Sequence, residues 1–270
     1  MPPKIDTRGI IAAGELVVYL PIAATSLYLF IRYGLRRDAG WLFLSIFSLM
    51  RITGGALGLA LSQLLPGDAK NAKTIPKLLL TANILDPVGV GILLFGTLGF
   101  AGLAGYRSYS DNRRLMITFR VIGGIIFTAI ALAIAGGILG SQVSPNTSSP
   151  GALIRRIGAG IYALIWFFLL LVILGCWSYR HAMRSFRRNL LLGVTIAHPI
   201  LGLRIAYAVI VTWSSSDLLG AHPSSNPQLA QFQPVTGKWM FYLVFSLVSE
   251  FIVAMMYLLF GTILSRRKHR

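Results

Sequence analysis

Residues 238–264 read KWMFYLVFSLVSEFIVAMMYLLFGTIL, an apolar run interrupted near its middle by Glu250. A helix needs about 20 apolar residues to cross the hydrocarbon core of a bilayer, so this run predicts a membrane span. A charged side chain at that depth costs about 3 kcal/mol or more unless it is paired or faces water, and such residues mark functional sites. Glu250 is therefore a candidate functional residue inside a transmembrane helix.

The whole composition indicates a membrane protein. Of the 270 residues, 55% are hydrophobic and 12% are charged, and the mean hydropathy is +0.71. Seven runs have about the length of a span. The predicted spans are residues 10–31, 40–63, 77–103, 117–140, 157–178, 189–213 and 239–264. The connections between them are too short and polar to fold separately. We therefore expect an all-α fold, a polytopic membrane protein with a seven-transmembrane-helix bundle as a single domain over residues 1–270.

The distribution of basic residues predicts an orientation. The connections between spans 1 and 2, 3 and 4, and 5 and 6, with the C-terminal tail, carry more Lys and Arg than the opposite face. By the positive-inside rule the C-terminus is expected in the cytoplasm and the N-terminus outside or in the lumen. The sequon Asn146-Thr147-Ser148 falls between spans 4 and 5, on the expected outer side, which makes Asn146 a candidate glycosylation site.

The net charge of +17 is expected to serve topology and contact with anionic membrane lipid rather than nucleic acid. Cys176 is the only cysteine, so no internal disulfide forms. The four histidines share no short helical spacing with another ligand type, so no metal site is expected.

Further ionisable side chains interrupt the predicted spans. They are Glu15, Arg51, Asp86, His198 and Arg204. At 1.5 Å per residue they lie near the middle or in the outer half of their helices, which predicts one internal polar chamber open toward the outer side. His198 and Arg204 are roughly 120° apart around an ideal helix, so they share that chamber only if Pro199 bends it.

A purely structural alternative is that these charges are ion pairs that fix helix register. Polar contacts between membrane helices average under about 1 kcal/mol, so stability alone is a weak reason for so many of them. Three tyrosines lie on the faces of these charged residues and are further candidates for binding: Tyr19, Tyr207 and Tyr257.

Several common catalytic and receptor motifs are absent from the sequence. It has no Gly-rich phosphate loop, GxSxG, HExxH or clustered carboxylates, which disfavours metal-dependent diphosphate chemistry. The last span has no interior lysine for a Schiff base and no NPxxY receptor motif.

Four stretches together resemble a known family. They are YLPIAATSLYLFIRYGLRRDAGWLFLSIFSLMRITGGALG (19–58), ILDPVGVGILLFGTLG (84–99), HPILGLRIAYAVI (198–210) and SEFIVAMMYLLFG (249–261). The chain resembles a family of seven-pass fungal membrane proteins, some of which look like membrane-bound terpene cyclases of ascochlorin and ascofuranone type meroterpenoid pathways. The telling residues are Arg32, Gly34, Arg37, Gly40, Trp41, Arg51, Pro199, Arg204, Tyr207 and Glu250. Asp86-Pro87 departs from the pattern, since a small or amide residue is usual there.

This resemblance implies an isomerase that protonates a terminal epoxide on a prenylated aromatic, so that the carbocation closes to a ring. We expect Glu250 to be the acid, with Glu15 or Asp86 as a second carboxylate. The side chains expected to orient the substrate or tune the acids are Arg51, His198, Arg204, Tyr19, Tyr207 and Tyr257. A carboxylic acid kept neutral in apolar surroundings is a competent proton donor. The reaction implies a lipophilic small-molecule substrate, no cofactor and no metal, and a place in the endoplasmic reticulum or another endomembrane.

Two other classes of function are open at this point. The outward N-terminus and basic inner connections also suit a seven-helix receptor or sensor, which would bind a ligand without forming product. A small transporter would also need polar groups in the bundle.

Overall fold

The structure is a computed structural model that describes residues 7–33, 39–64, 75–109, 113–141, 150–178, 180–183, 185–214, 224, 226–234 and 237–266. The chain is almost entirely helical over these ranges, which contain no strand. The helices, in chain order, are α1 (Thr7–Tyr33), α2 (Ala39–Leu64), α3 (Ile75–Tyr109), α4 (Arg113–Ser141), α5 (Pro150–Ser178), α6 (Ser185–Ser214), α7 (Pro227–Ala230), α8 (Trp239–Tyr242) and α9 (Ser249–Arg266). A single 3₁₀ turn, Arg180–Ala182, joins α5 to α6.

Within the described residues, seven helical segments are long and apolar enough to cross a membrane, which confirms the prediction of an all-α fold with seven helices of that kind. The first six are α1 to α6. The seventh, Trp239–Thr262, joins α8 and α9 through a π-helical stretch, Leu243–Val248. The predicted orientation stays a prediction, and Asn146 lies outside the described residues.

Most helix bounds lie within a few residues of the predicted ones. The largest differences are the end of α3, which continues past residue 103 to Tyr109, and the start of α5 at Pro150 instead of 157. Proline suits the first turn of a helix because its missing N–H would have no intrahelical partner there. Arg155 and Arg156 therefore lie on a helix and not in a connection.

Consecutive spans pack as antiparallel neighbours, and α3 lies at the centre, against α2, α4, α5 and α6. Close approach of α2 and α3 depends on glycine. A Cβ added to Gly99 would lie 2.7 Å from the backbone nitrogen of Gly40. Backbone atoms cannot move aside as a flexible side chain can, so this crossing requires a residue without a side chain.

The bundle has an apolar exterior and a mixed interior. Large apolar side chains such as Val17, Phe127 and Phe167 are exposed, as expected of surfaces that face lipid. Buried polar side chains include Glu15, Arg51, Arg204 and others from different spans. The interior of the bundle thus holds charged side chains from several spans.

Candidate functional site

Charged side chains from five spans meet inside the bundle. They come from α1, α2, α3, α6 and α9, and they are Glu15, Arg51, Asp86, Arg204 and Glu250. We call these five residues the charged cluster. The predicted convergence of intramembrane charges is thus present in the structure.

Arg51 contacts all three carboxylates of the cluster. Its Nη1 donates to Oε1 of Glu15 at 3.2 Å, and its Nη2 donates to Oδ1 of Asp86 at 3.2 Å. The same Nη2 forms an ion pair with Oε2 of Glu250. Arg51 therefore ties α1, α3 and α9 to α2.

Arg204 bridges two of these carboxylates from the opposite side. Its Nε donates to Oε1 of Glu250 at 2.5 Å, and its Nη2 donates to Oδ2 of Asp86 at 2.8 Å. Its guanidinium carbon lies 5.8 Å from the centre of the Tyr207 ring. Charged groups at such distances in a water-poor interior attract each other far more strongly than in water.

The π-helical stretch adds a neutral partner, Ser246, to the cluster. The Ser246 hydroxyl donates to Oδ1 of Asp86 at 3.3 Å and accepts from Nη2 of Arg51 at 3.4 Å. In an α-helix, Tyr242 and Glu250 would be about 80° apart, because eight residues turn by about 100° each. A π stretch turns less per residue and places both side chains on one face. Such stretches occur frequently at functional sites.

The cluster holds more acids than bases. It contains three carboxylates and two guanidiniums, which gives one negative charge in excess if all are ionised. A net charge in a buried, water-poor site is costly. One proton retained on a carboxyl group would neutralise the cluster. That carboxyl group could then act as a proton donor.

A cavity of about 230 Å³ lies beside the cluster, at the end of the bundle where α1 begins. Glu15 and Asp86 line it, whereas Arg51, Arg204 and Glu250 do not. Its walls are mainly apolar, with three aromatic side chains: Tyr162, Trp239 and Tyr242. A smaller cavity of about 50 Å³ lies between Arg51, Glu15, Asp86 and Tyr242. Two members of the cluster are therefore accessible from an apolar chamber.

Other predicted site residues lie away from the cluster contacts. The His198 ring stacks on Trp166, with ring centres 4.9 Å apart, and neither ring nitrogen has a hydrogen-bond partner among the described residues. Tyr257 pairs its hydroxyl with Oγ1 of Thr97 at 2.7 Å, deep between α3 and α9. The Tyr207 hydroxyl donates to the Phe232 carbonyl at 3.3 Å.

Tyr19 is fully buried and meets Phe47 edge to face at 5.9 Å. Sequence reasoning assigned no role to Tyr162, Tyr242 or Arg155, all of which line the large cavity. Arg155 was missed because the predicted fifth span began at residue 157, which left this arginine outside the helix that carries it. For Tyr242 the missing signal was the π stretch, which periodicity does not reveal.

Fold and site together define a seven-helix membrane protein with a buried charged cluster next to an apolar chamber. The chain belongs to the family described as a domain of unknown function, DUF7702, whose profile matches residues 5–267. Comparisons with curated proteins and with solved structures gave no match. The family description states no activity, so the terpene cyclase resemblance stays a prediction.

Proposed function

We propose that this protein is a cofactor-free membrane isomerase that cyclises an epoxidised prenyl chain by acid catalysis. The observation that carries the proposal is the position of Glu15. Its carboxyl lies in the charged cluster and also lines the apolar chamber. A proton donor must reach its substrate, and Glu15 combines burial in the cluster with access to the chamber.

Glu15 is better placed for donation than the two other carboxylates. Among the described residues its one hydrogen bond joins Oε1 to Arg51 at 3.2 Å. Both oxygens of Asp86 accept hydrogen bonds, and both oxygens of Glu250 are held by arginines. Glu250 is also fully buried and does not line the chamber. We therefore assign the acid to Glu15, and to Glu250 the task of positioning both arginines.

The proposed step returns its proton. The Glu15 carboxylic acid gives its proton to the epoxide oxygen, and the carbon–oxygen bond at the more substituted carbon breaks. The alkene of the same chain attacks that carbon, a ring forms, and the cation moves along the chain. Loss of a proton to the Glu15 carboxylate ends the reaction, so product and substrate are isomers.

The chamber walls suit a cationic intermediate. Tyr162, Trp239 and Tyr242 line the same chamber as Glu15 and Asp86. Aromatic faces attract cations within about 6 Å of the ring centre. Mainly apolar walls also limit capture of the cation by water. A lipophilic substrate would reach such a chamber from the membrane, in the endoplasmic reticulum or another endomembrane.

The test compares Glu15→Gln and Glu250→Gln with wild type, in microsomes that are supplied with an epoxyfarnesyl phenol. We expect wild type to form a cyclic isomer and Glu15→Gln to lower turnover by about 10²-fold or more, the usual contribution of a general acid. Arg120→Gln on α4, an exposed arginine that does not line the chamber, serves as the matched control.

Each outcome has a defined meaning. Full turnover by Glu15→Gln, with loss in a well-expressed Glu250→Gln, would move the acid to Glu250. Saturable binding by wild type without product would replace the isomerase with a receptor or carrier.

A further inference from the structure

The large cavity has charges of both signs in its lining. Glu15 and Asp86 line it, and so do Arg8 and Arg155. Arg8 is seven residues before Glu15 on α1, and Arg155 is seven residues before Tyr162 on α5. At 1.5 Å per residue, Arg8 is about 10 Å nearer the end of the bundle than Glu15, and Arg155 is nearer that end than Tyr162 by the same length. We call Arg8 and Arg155 the basic rim.

Both arginines lie in the first two turns of helices that run in the same direction, α1 and α5. Successive spans alternate in direction, so the first, third and fifth spans all begin where the cavity lies. Thr212 and Gln233 line the cavity as well and supply polar side chains. Aliphatic side chains make up much of the remaining wall: Ile11, Leu61, Leu79, Ala133, Ala159 and Val211.

Packing directs Arg155 differently from its neighbour Arg156. A Cβ at Gly136 would lie 2.8 Å from Cγ of Arg155, so the glycine leaves room for the stem of this arginine. Arg156 instead donates from Nε to the Thr212 carbonyl at 3.4 Å, and its guanidinium lies over the Trp213 ring. Arg156 does not line the cavity. The two adjacent arginines thus form a matched pair for experiments.

We propose that the basic rim binds a carboxylate at one end of a lipophilic substrate, whose apolar chain extends toward Glu15. Guanidinium groups hold carboxylates through paired, charge-assisted hydrogen bonds. The inference rests on the proposed function, since it names the substrate class of the same chamber.

The experiment measures binding without any reaction. The full-length protein in phosphatidylcholine nanodiscs is equilibrated with radiolabelled decanoate or decanol, above neutral pH, and binding to empty nanodiscs is subtracted. We expect wild type to bind decanoate at least tenfold more tightly than decanol. Arg8→Gln and Arg155→Gln should each remove most of that preference, and Arg155→Lys should restore part of it.

Arg156→Gln is the control, because it removes the same charge one residue away. Equal affinities of wild type for decanoate and decanol would contradict carboxylate binding by the basic rim. An equal loss of the preference for decanoate in Arg156→Gln and Arg155→Gln would also contradict it. Should Arg155→Gln fail to fold, Arg8→Gln decides alone, since Arg8 is exposed in the first turn of α1.

The two proposals fail in different ways. If wild type prefers decanoate but cyclises no epoxide, the proposed reaction is wrong and carboxylate binding by the basic rim stands. Active cyclisation with equal affinities for acid and alcohol would overturn the rim alone.

Discussion

Arg204 on α6 and Glu250 on α9 form a fully buried ion pair, with 2.5 Å between Nε and Oε1 and no exposure of either side chain. The pair connects two helices that pack against each other along the bundle. Each partner also has a second contact in the cluster, Arg204 with Asp86 and Glu250 with Arg51. The pair is therefore part of a network that holds α2, α3, α6 and α9.

We expect Arg204→Met to destabilise the protein by about 3–5 kcal/mol, because it leaves Glu250 and Asp86 buried with one arginine between them. The measurement is thermal unfolding of the purified protein in detergent. Arg120→Met on the exposed face of α4 is the control and should change little.

The double variant Arg204→Met/Glu250→Met separates charge balance from packing. It removes one charge of each sign, so it should be more stable than Arg204→Met alone. A double variant less stable than the single one would show that the buried pair contributes mainly through shape.

A second prediction concerns the contact between α2 and α3. Gly99→Ala should destabilise by about 1–3 kcal/mol, because the new Cβ would lie 2.7 Å from backbone nitrogen of Gly40. At Gly124 an added Cβ would meet no atom within 4 Å, so Gly124→Ala should be neutral or stabilising by up to about 1 kcal/mol. Thermal unfolding of both variants tests the expectation, and equal melting temperatures would contradict it.

Hydropathy and charge were sufficient to predict the seven spans and much of the charged cluster. A charge at membrane depth needs a partner, so Glu15, Arg51 and Glu250 were expected to converge, and they do. Asp86 departs from the family pattern described above, yet it accepts hydrogen bonds from both arginines of the cluster.

The contacts of other side chains depend on how each helix is rotated and shifted against its neighbours. The identity of a single residue does not predict these two quantities. His198 faces Trp166, since Pro199 alone does not turn it toward Arg204. Tyr257 shares a face with Glu250 but is about 10 Å further along the helix, where it pairs with Thr97. The π stretch that brings Ser246 to Asp86 has no periodic signal in the sequence.

A third prediction tests that π-helical stretch. Insertion of one alanine after Val244, an exposed residue within it, should rotate Tyr242 about 100° away from the face of Glu250, because each added helical residue turns the chain by about 100°. We expect the variant with the added alanine to reach the membrane but to lose at least tenfold in epoxide turnover. Val244→Ala keeps the residue count and should retain activity. Equal turnover by the variant with the added alanine and by wild type would show that the helix rotation set by the stretch has no part in the site.

The last prediction concerns the hydroxyl of Tyr162, which is buried at the cavity and has no hydrogen-bond partner among the described residues. Tyr162→Phe removes an unsatisfied polar group, so the melting temperature should stay the same or rise. The ring remains in Tyr162→Phe, which keeps its face available to a cation, whereas Tyr162→Leu removes it. We therefore expect Tyr162→Phe to raise KM for the epoxide with little change in kcat, because the hydroxyl is free to bond a substrate oxygen. Tyr162→Leu should lower kcat by about tenfold. A lower melting temperature for Tyr162→Phe would mean that this hydroxyl supports the fold, and equal kcat in both variants would exclude the ring as a stabiliser of the cation.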